Sequence, residues 1–184
     1  MLPPVSIAVV TSVFIVACWV SDVRTRTIPN VLTGPILLLG VGLNWFLFGS
    51  VAAATSFGGA ALCVALLLAP FALGGIGGGD VKMMAAIGAL LGPRIALVSL
   101  ALGLLLGGII MIIHLARMGR LQEKLGVIRI MVSRSLVERS TEALKISDSA
   151  PETVALPYSV PLGIGTFLVL GGSWGSVLLS GGIQ

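Results

Sequence analysis

Two carboxylates stand apart from the rest of the chain's charge. Asp22 and Asp80 are the only acids before Arg117, and the other five fall in one polar stretch after it. Asp22 belongs to the run Ser21-Asp22-Val23-Arg24-Thr25-Arg26-Thr27-Ile28-Pro29-Asn30, directly after an apolar stretch. Asp80 closes the glycine run Gly74-Gly75-Ile76-Gly77-Gly78-Gly79-Asp80 and leads into Val81-Lys82-Met83-Met84, at the start of another. A carboxylate pair beside confined water has a definite use. One ionised member takes a proton from the water while its protonated partner donates to the carbonyl under attack, so the two share a single proton. Other chemistries lack their residues. Cys18 and Cys63 have no Cys-x-x-Cys partner and read as small hydrophobes, with no zinc framework, and Cys18 has no base beside it for a cysteine protease. The glycine run lacks the Gly-Lys-Ser/Thr of a phosphate loop.

The elements that must position these acids are membrane helices. Hydrophobic residues make up 57% of the 184, only 10% are charged, and mean hydropathy is +1.12. A soluble domain carries about a quarter charged residues, and disorder needs low hydrophobicity with high charge, so both classes are excluded. At 1.5 Å per residue an apolar core of about 30 Å takes roughly 20 residues to cross. The sequence predicts an all-α, polytopic protein of one domain with six spans, at about 4–21, 31–49, 52–74, 81–92, 94–116 and 156–179. No lysine or arginine precedes Leu2–Val20, so the first stretch reads as a span rather than a secretory signal. The twelve residues from Val81 to Gly92 reach only about 18 Å, roughly 12 Å short of a full core. Asp80 is therefore expected below the membrane surface, reached by a cavity. Ionisable groups at such depth are costly and usually functional, and irregular glycine backbone is tolerated there only where protein or trapped water satisfies it.

Positive charge sets the orientation. With six spans and both termini outside, Arg24, Arg26, Lys82 and the seven basic residues from Arg117 to Lys145 face the cytoplasm, which is 10 of the 11 and leaves out only Arg94. The net charge of +4 is then loop charge facing anionic lipid, with no aromatic-basic pattern for nucleic acid. Leu121, Leu125, Ile128, Val132 and Leu136 recur every three or four residues among basic ones, which predicts an amphipathic helix on the inner leaflet or, more plainly, a solvated linker. Ser147–Glu152 reads as linker.

The ordered motifs resemble those of a known family. Gly77-Gly78-Gly79-Asp80 fits the Gly-x-Gly-Asp signature of intramembrane aspartyl proteases. With Asp22, Ile28-Pro29-Asn30, Asp80-x-Lys82 and Leu156-Pro157-Tyr158, nearly the whole chain resembles the type IV prepilin peptidases. Its short length is similar to the small branch that serves tight-adherence (Flp) pili, or to a related short-form peptidase. The resemblance implies a six-helix enzyme of the inner membrane, without cofactor or metal, that cleaves a prepilin or pseudopilin after a glycine at the cytoplasmic face. It implies Asp22 and Asp80 as the catalytic pair, and pilus-assembly or secretion machinery as further partners. Longer members carry an N-terminal insertion with paired Cys-x-x-Cys motifs and methylate the new N-terminus. This chain has neither, so the resemblance does not carry methylation over.

Each candidate residue also has a plainer reading. Asp22 could pair with Arg24 or Arg26, and Asp80 could be a helix N-cap. Gly77 and Gly79 serve either close helix packing or backbone room for an extended substrate. Lys82 and Arg24 obey the positive-inside rule, or one of them meets an acidic residue of the substrate. Asn30 could cap the second span, Tyr158 could anchor at the interface or touch substrate, and His114 faces headgroups. Two functional classes follow: a membrane aspartyl endopeptidase, or a small proton-coupled transporter or channel using Asp22 and Asp80 as a relay. Transporters often show related halves, and the sequence shows no internal repeat. A structural pilus-assembly subunit needs no aspartate behind a glycine run.

Overall fold

The computed structural model describes residues 3–72, 75–118 and 158–179, and every regular element among them is helical. Helix α1 spans Val5–Thr25, α2 Asn30–Phe48, α3 Ser50–Ala72, α4 Gly78–Arg117 and α5 Ser159–Leu179. Residues 1–107 with 157–184 make one compact unit and 108–156 a second, of which the described part is the end of α4 and Met118. The amphipathic helix expected around Leu121–Leu136 and the linker at Ser147–Glu152 lie outside the described residues.

Four stretches are long and apolar enough to cross a membrane: α1, α2, α3 and the 37 residues Gly78–His114 of α4. Their outer faces carry large apolar side chains in the open, as the row Val5, Val9, Val13, Val16 and Val20 does along α1. Such a surface suits hydrocarbon and not water. The interior helix is α4, where every residue from Met83 to Leu91 is buried. A helix apolar on all sides belongs in the middle of a bundle, and here it does.

Glycines bring the neighbours in. Gly59 of α3 and Gly88 of α4 cross so closely that a Cβ on either would overlap the other's carbonyl oxygen. A Cβ at Gly40 of α2 would stand 2.9 Å from the backbone of Ala89. Gly163 of α5 packs on Ile15 and Trp19 of α1, and Trp19 meets Phe167 edge-on with centroids 5.6 Å apart. Small residues that let backbones approach are the usual device for packing helices in lipid, where no hydrophobic force draws them together.

The sequence places separate helices before and after Gly92, and the structure has a break at that residue. Helix α4 is continuous except at Gly92, whose φ of 75° and ψ of 172° break the helical path just before Pro93. Proline has no N–H, so Ala89 loses its helical donor there. Asn44 of α2 replaces it: its Nδ2 donates to the carbonyls of Ala89 at 3.3 Å and Leu90 at 3.2 Å, and to its own Gly40 at 2.9 Å.

Three boundaries differ from the sequence reading, and each matters to the site. The first helix runs past residue 21 to Thr25, so Asp22 lies within it. It stops at Arg26, whose left-handed φ of 52° turns the chain while its N–H closes on the Asp22 carbonyl at 2.8 Å. Hydroxyls fix this turn: Ser21 donates to the Thr27 carbonyl, and Thr25 donates to that of Ser21, each at 2.9 Å. The fourth helix begins at Gly78, so Asp80 is its third residue and not its N-cap. Pro29 rather than Asn30 precedes the first turn of α2, which frees the Asn30 side chain for another partner.

Candidate active site

Asp22 in the last turn of α1 and Asp80 in the first turn of α4 line one cleft of about 310 Å³. Both are nearly covered, at 9% and 8% exposure. Arg26, Thr27 and Ile28 form one wall, and Gly77, Gly78 and Gly79 another, with Lys82 beside them.

Local sequence holds each acid. At the third helical position, the Asp80 carboxylate reaches back to accept the Gly77 backbone N–H, the returning half of a capping box. A Cβ at Gly77 would stand 3.2 Å from Asp80 Oδ2, so glycine lets the carboxylate lie against the backbone. A Cβ at Gly79 would sit 3.2 Å from Ile28 Cβ. The glycine run thus brings α4 close against the α1–α2 turn, and it lines the cleft.

Asp22 pairs with neither arginine among the described residues. Its Oδ2 instead accepts a hydrogen bond from the hydroxyl of Ser159, the first residue of α5. Ser159 is fully buried, and its carbonyl accepts the Trp19 indole N–H at 2.8 Å. Sequence reasoning missed Ser159, for a serine 137 positions from its partner carries no spacing signal.

The remaining candidates divide. Lys82 lines the cleft, and its Nζ donates to Asn30 Oδ1 at 2.7 Å, so Asn30 positions the cation rather than capping α2. Arg24 lies outside the cleft lining and is exposed, whereas Arg26, two residues on, lines it. Tyr158 is also absent from the lining. Its ring packs on Gly107 of α4, where a Cβ would stand 2.9 Å from Cε1. Cys18, one turn before Asp22, is wholly buried in the core and behaves as a small hydrophobe.

Two covered carboxylates in one cleft, walled by bare glycine backbone, can run acid-base hydrolysis on an extended chain. The sequence pattern of the type IV leader peptidase family matches residues 9–112. The chain belongs to that family. The matched region of this leader-peptidase-family chain contains both aspartates, the α1–α2 turn and the glycine run, and it ends before Tyr158 and Ser159. No curated protein and no solved structure gives a significant match.

Proposed function

We propose that this protein is an aspartic endopeptidase that removes the leader of a type IV prepilin or pseudopilin, cleaving after a glycine at the cytoplasmic face of the inner membrane. The observation that carries this is the meeting of Asp22 and Asp80 in one glycine-walled cleft, in a chain of the leader peptidase family. One carboxylate deprotonates the attacking water as the other protonates the peptide carbonyl oxygen. On collapse of the tetrahedral adduct the first carboxyl gives the water's proton to the leaving amine and the second retakes one from an adduct hydroxyl, so the pair ends as it began. Gly77 and Gly79 leave room for an extended substrate backbone, and Arg26 and Lys82 set a positive border.

The topology proposed with it has six spans. The break at Gly92 divides α4 into two crossings, α5 is the last, and both termini lie outside. The charge distribution supports this sidedness, because ten of the eleven basic residues then face the cytoplasm. A tight-adherence (Flp) pilin precursor is the substrate class proposed.

Co-expression with a candidate Flp-type prepilin, followed by mass spectrometry of the pilin N-terminus, tests the activity. A product starting just after the leader's glycine, dependent on both aspartates, is expected. An unprocessed prepilin in the presence of folded protein overturns the peptidase reading. Proton flux through reconstituted vesicles that is lost in D22N would favour the transporter in its place.

A further inference from the structure

Ser159 lies outside the matched family region, and the position it occupies has a consequence for the chemistry. Its side chain and its backbone are both hung on α1, the hydroxyl on Asp22 Oδ2 and the carbonyl on the Trp19 indole. Trp19 and Asp22 are three residues apart and so lie on one face of α1. That face is also where Gly163 of α5 packs on Ile15 and Trp19, which fixes the start of α5 in register with the acid. Ser159 is 0% exposed, so no water competes for its hydroxyl. With Oδ2 held, Oδ1 is left as the Asp22 oxygen without a protein donor among the described residues.

We infer that Ser159 is a positioning residue for the reaction, which locks the Asp22 carboxylate through Oδ2 so that Oδ1 alone is presented to the catalytic water in the cleft. Trp19 is its anchor. This rests on the proposed role of Asp22, and it adds a fixed geometry that Asp22 alone lacks: an unrestrained carboxylate would rotate about its terminal torsion, which is broad and roughly two-fold. A donor held by two bonds removes that freedom before substrate arrives.

The test uses the full-length protein in detergent with a purified prepilin, measuring kcat, KM and the thermal midpoint for S159A, S159T, W19F and D22N. For S159A, kcat should fall by about ten- to hundredfold, the effect of losing one hydrogen bond to a charged group, with KM and the midpoint close to the parent. S159T keeps the hydroxyl and should recover most of kcat. W19F keeps an aromatic ring against Phe167 but frees the Ser159 carbonyl, and kcat should fall several-fold. Parental kcat in S159A, with D22N inactive, overturns the positioning role and leaves the peptidase reading intact. Losses in S159A that follow the midpoint and are not restored by threonine overturn it too, by showing a packing role only. Full cleavage by D22N overturns the catalytic role of Asp22 and the inference with it, whereas no cleavage by the folded parent overturns the peptidase reading itself. Should S159T fail to fold, a parental kcat in W19F counts against the role, and a several-fold fall at unchanged KM counts for it.

Discussion

Glycine does opposite things at the start of α4 and in its middle. At Gly77–Gly79 the bare backbone lines a cleft, with side chains of Asp80, Phe71 and Ile28 close against it. At Gly88, across from Gly59, the missing side chains leave nothing, because another backbone fills the place. The polar groups differ in the same way. In the middle of α4, Asn44 spends its donors on three carbonyls, two of them at the Gly92 break. In the cleft, two carboxylates keep acceptors available to a visitor. A bundle in lipid must satisfy its polar atoms internally wherever it is only structure. The region that leaves them available is where function is to be sought.

The largest effect that would sharpen this contrast comes from the acids. D22N and D80N should each lower prepilin cleavage by about 10²- to 10⁴-fold or more while the thermal midpoint in detergent stays near the parent, since amides fill the same space. Appreciable cleavage by either would end the contrast. The same pair should give a bell-shaped dependence of kcat/KM on pH. Activity should fail in acid, when both members are protonated, and in base, when neither is, because only the singly protonated pair holds both a base and an acid. A flat profile would show that no proton is shared.

Next in size is the packing region. G88A places a methyl where the Gly59 carbonyl lies, and overpacking of this kind costs about 1–3 kcal/mol or more, read as a lower unfolding midpoint. An unchanged midpoint would mean that α3 and α4 do not cross so closely. N44A should follow, at about 1–2 kcal/mol, since it strips donors from carbonyls at the helix break. Its folded fraction should cleave normally, and a change in kcat alone would place Asn44 with the chemistry. The smallest effect separates two arginines: R26A should raise KM a few-fold and R24A should leave it alone, because only Arg26 lines the cleft. Equal behaviour would remove the positive border from the site.

Much of this was legible in the residues. Long apolar runs place α1, α2 and α3 within a few residues, because helix length follows from the thickness to be crossed. The two acids were conspicuous for the same reason: a carboxylate among apolar helices has no bland neighbour to hide among. What escaped were partnerships across distance. Nothing near Asn44 shows that a proline on another helix will leave a carbonyl bare for it. Nothing in Tyr158-Ser159 tells which of the two meets the site, and it is the serine that does. Arg24 and Arg26 look alike in sequence, and the left-handed turn at Arg26 decides which one reaches the cleft.

The connection between α2 and α3 is a single residue. Gly49, at φ of 84°, reverses the chain, and its N–H is already bonded to the Trp45 carbonyl at 2.8 Å. In the proposed topology this corner lies outside, so during synthesis almost no unpaired backbone and no charged side chain has to be carried through the bilayer to bring it across. The two helices can enter together as a preformed hairpin, with no loop to drag behind them, and a longer or charged insertion at Gly49 would tax biogenesis before it touched the folded protein.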